Sequence, residues 1–188
     1  MTEQKLVLGL AGMPGSGKSL VVQVATTWNY DVVVMGDIVR TEANRRGFEP
    51  TPENIGKVML ELRKLEGSSV IAKRCIPKIE GAKKPKVIVD GIRSLDEVEE
   101  FKKHFRKFKL VTIHSSPEGR FRRLYRRQRS DDADCWETFH ERDLRELGVG
   151  LGSAMAMAEY VVINDEPARI VKDRVREVLR KVDQEWTR

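Results

Sequence analysis

The stretch Gly12-Met13-Pro14-Gly15-Ser16-Gly17-Lys18-Ser19 decides the reading of this chain. It fits G-x-x-x-x-G-K-[ST], a spacing with a mechanical reason. Glycines let the backbone wrap closely enough for amide N–H groups to converge on phosphates. A helix that follows adds its positive N-terminal end. Lys18 then reaches the β- and γ-phosphates, and the Ser19 hydroxyl can take Mg²⁺. The expected nucleotide contacts are Gly12, Met13, Pro14, Gly15, Ser16, Gly17, Lys18, Ser19 and Leu20.

The flanks supply the context that the motif needs. Residues 5–11 (KLVLGLA) are an apolar run leading into the loop, and residues 18–27 carry a helical pattern. Four more short β-branched runs follow, at residues 30–35, 86–90, 108–114 and 160–164. Consecutive apolar positions of this kind read as parallel strands covered on both faces. Helices are predicted between them. Residues 52–65 set Ile55, Val58, Met59, Leu62 and Leu65 on one face, with Thr51 as N-cap and Pro52 at the first helical position. Ser94 and Glu97 form a capping box, and Ser116-Pro117 opens another helix. From about Pro167 a long stripe runs through Val171, Val175, Leu179 and Val182. The pattern predicts an α/β three-layer fold, a five-stranded parallel sheet with helices on both faces. One domain of 188 residues is expected. The gap between the second and third runs exceeds one crossover helix, so residues 37–80 are expected to form a helical insertion, and residues 116–146 a short lid.

Composition narrows the classes. The longest apolar run is far short of the ~20 residues a membrane helix needs. Cys75 and Cys135 are too few for a disulfide scaffold or a four-cysteine zinc site, and a reduced, cytoplasmic setting fits them. His104, His114 and His140 show no metal-ligand spacing. The net charge is +6, and residues 120–129 (RFRRLYRRQR) alone hold six arginines. Removing those six from the 35 basic residues leaves 29 against 29 acidic. The excess is one local cluster, which points to the phosphates of a small nucleotide and argues against a nucleic-acid partner. Aromatics at 6% and the absence of a nucleic-acid motif agree.

Three further groups belong with the loop. Gly36-Asp37-Ile38-Val39-Arg40 follows the second strand, and Asp90-Gly91-Ile92-Arg93 the third. Ligands of open parallel sheets sit at the carboxyl ends of strands, so these residues are expected to converge on Lys18. Arginine suits bidentate phosphate contacts. Asp90, closing an apolar strand, is placed to hold Mg²⁺ directly or through water, together with Ser19. The arginine-rich stretch is the third. On a helix its charges spread around the cylinder, with Phe121 and Leu124 buried. Arg126, Arg129 and Arg142 are the expected catalytic cations, alongside Lys18 and Asp90. Arg120, Arg122 and Arg123 are expected mainly at the surface. Asp131 and Asp132 are either caps for the helix near Trp136 or part of the lid. Residues 148–152, with three glycines, read as a turn or a lid hinge.

On these residues the chain resembles the nucleoside monophosphate kinases, and adenylate kinase most. Gly36 to Arg40 match that family's Gly-Asp, two apolar residues and Arg. Asp90, Gly91 and Arg93 are similar to its Asp-Gly-aromatic-Pro-Arg. Arg129-Ser130-Asp131-Asp132 followed by Arg142 looks like its lid pair. The resemblance runs through the whole chain in order, and its pattern looks closest to archaeal proteins described as adenylate-kinase-related. It implies ATP at the loop, a monophosphate held by Gly36, Asp37, Arg40, Gly91 and Arg93, and lid arginines on the transferred group. It implies purine contacts near Asn164 to Glu166. Met35 stands where the family has Ser or Thr, Ile92 replaces an aromatic-Pro pair, and Asp96 and Glu97 lie where an adenine-reading glutamine is usual. The acceptor therefore stays open: a nucleoside monophosphate, another phosphate-bearing molecule, or a hydroxyl as in dephospho-coenzyme A, for which Asp37 or Asp90 is the candidate base. A nucleotide sensor with little turnover is the alternative from another class.

Overall fold

Six consecutive buried residues, Leu6–Ala11, form β1, the middle strand of the sheet. The computed structural model describes residues 5–49, 51–128 and 135–187. After β1 come α1 (Lys18–Thr27), β2 (Tyr30–Val34), α2 (Met35–Arg45), α3 (Pro52–Glu66) and α4 (Val70–Glu80). Then follow β3 (Lys86–Ile92), α5 (Leu95–His104), β4 (Lys107–His114), α6 (Pro117–Arg127) and α7 (Trp136–Val149). The described chain closes with α8 (Leu151–Ala156), β5 (Tyr160–Ile163) and α9 (Ala168–Thr187). All strand pairs are parallel, in the order β2-β3-β1-β4-β5.

The alternation of β1 explains the layers. Leu6, Leu8 and Leu10 point to one face, where they meet Val21 and Val24 of α1 and Val171, Val175 and Leu179 of α9. Val7 and Ala11 point to the other, against α2, α3, α4, α5 and α8. Gly9 shares that second face, and a Cβ there would strike Ile92 and Phe108. The expected three-layer α/β sheet with helices on both faces is therefore the observed one.

Local signals account for most boundaries. Thr51 caps α3 by accepting the Asn54 N–H at 3.3 Å, and Ser94 caps α5 by accepting the Glu97 N–H at 3.3 Å. Two expectations are corrected. Leu65 is 74% exposed, although it was placed on the buried face of α3. It lies in the last turn of α3, one residue before the end at Glu66 and beyond Leu62, the last buried residue of the stripe. Residues 148–152 are not a flexible turn. Gly148 lies in α7 and Gly152 in α8, while Gly150, at φ 110°, ends one helix and starts the next.

Residues between β2 and β3 form three helices, α2 to α4, knitted by ion pairs around Glu42. Glu42 is 6% exposed. It accepts from Arg45 at 2.7 and 3.0 Å, Arg46 at 2.7 Å and Arg74 at 3.4 Å. Hydrogen bonds from Arg45 and Arg46 pull its carboxyl from 4.5 down to about 2. That contribution to stability is complete above pH 4.5 and is lost as pH falls through 2. Glu42→Gln will lower the melting temperature at pH 7, and the difference from wild type will close as both are melted at progressively lower pH. A difference that stays constant down to about pH 2 contradicts this role.

Candidate functional site

The loop between β1 and α1 is held open by contacts from outside it. Arg120 is 4% exposed and its Nη1 donates to the Pro14 carbonyl at 3.2 Å. Arg123 Nη1 donates to the Gly15 carbonyl at 3.1 Å. Asn164 Nδ2 donates to the Ser16 carbonyl at 2.7 Å. Three successive carbonyls are thus satisfied on the outer side, and within the loop the Ser16 N–H donates to the Met13 carbonyl at 3.1 Å. Gly17 closes the turn at φ 102°, and a Cβ there would collide with Asn164 Nδ2. Asn164 is itself fixed, its N–H on the His114 carbonyl at 2.7 Å and its carbonyl accepting from Arg123.

These contacts correct part of the reading of the arginine stretch. Arg120, expected at the surface, is buried in a bidentate pair with Asp143 at 2.8 and 2.5 Å, with its guanidinium 4.9 Å from the Phe139 ring centroid. Arg123 also turns inward and adds a 2.8 Å bond to Ser115 Oγ. Arg122 is exposed. Arg126 is exposed and does not line the cavity at the loop, whereas Arg123, Arg127 and Arg142 do. The physical reason is helical phase. Arg120 and Arg127 lie four and three residues from the buried Leu124 and share its side, while Arg126 falls on the opposite side. Arg129, Asp131 and Asp132 lie outside the described residues.

The cavity has a volume of about 410 Å³. Gly12, Pro14, Gly15, Gly17, Lys18 and Ser19 line it from the loop and the start of α1. Gly36, Arg40, Asp90, Gly91 and Arg93 line it from the ends of β2 and β3, and Arg142 and Glu146 from α7. Met13 and Ser16 are buried beneath the loop, and Leu20 packs against the α1–α9 core. Gly91, at φ 108°, makes a bulge: Leu10 pairs with Asp90 and Ala11 with Ile92, so one residue of β3 is extra. The strand therefore runs past Asp90, where the sequence pattern ended it, and the bulge separates Asp90 from Arg93.

Lys18 Nζ donates to the Gly12 carbonyl at 2.6 Å and more weakly to that of Met13 at 3.4 Å. Burial pushes its ammonium down from 10.5 to about 8, against the opposing pull of Asp90. Burial pushes the Asp90 carboxyl up, with Lys18 and Arg93 opposing. Asp90 Oδ1 is buried without a hydrogen-bond partner. An orphaned carboxylate oxygen in this cavity is what an acceptor for a metal-bound water looks like, and Ser19 supplies a hydroxyl to the lining of the same cavity. The pair fits a magnesium ion carried in with a nucleotide. Among the described residues, no group of three or more His, Cys, Asp or Glu is placed to hold a metal unaided.

The expected convergence at β2 and β3 is partial. Arg40 reaches the cavity, but Asp37 is exposed, does not line it, and pairs with Arg40 one turn along α2. Arg93 lines the cavity with its Nη1 3.2 Å from Glu146 Oε1 and 3.2 Å from Met59 Sδ. Its backbone N–H is held at 2.8 Å by the fully buried Glu97, which also takes Arg63 Nη2 at 2.5 Å. Asp165 anchors Ser115 and Ser116 at 2.6 and 3.1 Å. Sequence reasoning missed Glu146, Arg123 and Arg127. Counting in threes and fours from Leu124 singles out Arg127, but Glu146 carries no local signal.

The family described as "AAA domain" matches residues 11–140. The UPF0200 protein of Methanocaldococcus jannaschii is 46% identical over 179 residues, covering 94% of this chain and 90% of that one. That of Hyperthermus butylicus is 49% identical over 161 residues, covering 86% of each. Among solved structures, shikimate kinase from Acinetobacter baumannii in complex with shikimate superposes with a TM-score of 0.60 at 15% identity, over 97% of this chain and 96% of that one. A gluconokinase from Sinorhizobium meliloti superposes with a TM-score of 0.58 at 13% identity, over 99% and 97%. Those two share the fold of small P-loop kinases. With its nucleotide-loop domain matched and close relatives covered along nearly their whole length, the chain belongs to the UPF0200 family of AAA-domain proteins.

Proposed function

We propose that this protein is an ATP-dependent phosphotransferase that moves the γ-phosphoryl group to a small anionic acceptor, a nucleoside monophosphate or a similar phosphate-bearing molecule. The observation that carries this reading is one cavity that joins the loop to a set of arginines. Lys18 and the loop glycines line it together with Arg40 and Arg93, with Arg127 and Arg142 arriving from α6 and α7. Phosphoryl transfer needs alignment and charge neutralisation more than covalent help, and this arrangement supplies both.

Lys18 and the loop N–H groups hold the donor phosphates. Ser19 and Asp90 would hold magnesium, which when bound neutralises charge on the β- and γ-oxygens. Arg40 and Arg93 grip the acceptor anion. Arg142 and Arg127 approach the transferred group, and Arg129 belongs to the same lid in this reading; residues 37–80 serve the acceptor and 116–146 the lid. Arginines of this segment over the transferred group exclude water and limit hydrolysis. The unpaired thiols Cys75 and Cys135 agree with a reduced, cytoplasmic setting. Among the described residues no helix is long and apolar enough to cross a membrane.

Labelled ATP incubated with a panel of monophosphates and dephospho-coenzyme A, with products separated, tests the assignment. One labelled acceptor is the expected result; labelled inorganic phosphate alone overturns it. Arg93→Ala will raise the acceptor KM about 10- to 100-fold, the cost of a charged hydrogen bond. An effect confined to the KM for ATP contradicts the acceptor role.

A further inference from the structure

Two buried carboxylate oxygens at this cavity have no hydrogen-bond partner, Asp90 Oδ1 and Glu146 Oε2. Such an oxygen in a folded core signals a missing donor, because desolvating a charge without one is costly. Asp90 is electrostatically coupled to Lys18, and a water on a bound magnesium ion would supply its donor. Glu146 is different. It sits on α7, one turn after Arg142, and is 5% exposed. Its Oε1 is tied to Arg93 at 3.2 Å and its Oε2 has no hydrogen-bond partner, while its charge also acts on Lys18 across the cavity. Both side chains line the same cavity. Arg93 has nitrogen donors beyond the one on Glu146, and its side chain is 34% exposed, so an entering anion can reach it while the pair persists.

We propose that Glu146 is a specificity-determining residue that accepts a hydrogen bond from a hydroxyl of the acceptor. The acceptor is then a small anion with a hydroxyl next to its phosphate or carboxylate. The anion takes the free edge of Arg93, and the hydroxyl satisfies Glu146 Oε2. A molecule with a second negative charge in that position is rejected, because it would face a buried carboxylate. An analogue lacking the hydroxyl leaves Oε2 orphaned, the situation in which polar sites discriminate most strongly. This inference rests on the reading of the cavity as an acceptor site.

The test measures dissociation constants by calorimetry, with a non-hydrolysable ATP analogue present, for matched probes: glycerol phosphate against propyl phosphate, gluconate against hexanoate, and AMP against dideoxy-AMP. In wild type, the hydroxylated member of at least one pair is expected to bind about 10- to 100-fold tighter than its partner. Glu146→Ala will erase that preference, and the isosteric Glu146→Gln, which keeps an acceptor oxygen but no charge, will reduce it. Melting curves of both variants establish that they fold. Equal binding of both members of every pair, or a preference that survives Glu146→Ala, overturns the proposal while leaving the kinase reading intact. Failure of every probe to bind overturns both.

Discussion

Replacing Lys18 with alanine will reduce phosphoryl transfer at least 100- to 1,000-fold, the range seen when one preorganised donor to transition-state charge is removed. Lys18 is the cation at the head of α1, and the described loop offers no second lysine within its span. Its present partners are the carbonyls of Gly12 and Met13, so the ammonium already bends over the phosphate cradle. The substitution leaves the cradle standing, because the outer carbonyls remain held by Arg120, Arg123 and Asn164. Wild-type levels of activity in Lys18→Ala would sink the assignment. A pH signature accompanies it. In the free protein the ammonium loses its proton near pH 8, and a bound polyphosphate raises that value again. Nucleotide binding will therefore take up a proton above pH 8, and affinity will fall as pH rises through that point. Calorimetry in buffers of different ionisation enthalpy reads the uptake, and Lys18→Ala removes it.

Asp143→Ala is the largest expected loss of stability. It strands the Arg120 guanidinium, whose side chain is only 5% exposed, without its bidentate partner. Breaking a buried pair by removing one member costs about 3–5 kcal/mol. For a chain of this length that lowers the melting temperature by roughly 6–20 °C. The double substitution Arg120→Met with Asp143→Leu will recover much of the loss, since both charges leave together. It will not recover nucleotide affinity, because the Pro14 carbonyl loses its outer donor. Differential scanning calorimetry and nucleotide titration of the three proteins separate the two effects. A double variant that binds nucleotide like wild type removes Arg120 from the construction of the loop.

These predictions show where local pattern is enough and where it is not. The strand–loop–helix around Gly12 to Ser19 was legible because its glycines, lysine and serine act within one short span. The stripe of α9 and the caps at Thr51 and Ser94 were legible for the same reason: helix period and end chemistry are properties of neighbours along the chain. Arg120 was misread because burial of an arginine requires a partner, and Asp143 lies 23 residues away on another helix. Asp37 was expected at the cavity on the strength of following a strand, yet helix α2 starts directly at Met35 and turns that side chain outward to Arg40. Asn164 carried only a positional hint, and its hold on the Ser16 carbonyl spans 148 residues.

The sequence by itself determined that a nucleotide-type phosphate cradle stands at the carboxyl end of the first strand of a parallel α/β sheet, because those signals are short-range and periodic. Tertiary structure alone decided which charges surround the cradle. It buried Arg120 against Asp143, turned Arg123 inward, set the exposed Arg127 at the cavity, sent Arg126 to solvent and set Glu146 against Arg93. Charges on helices are sorted by the partners that packing brings within hydrogen-bond reach, and those partners are distant in the chain.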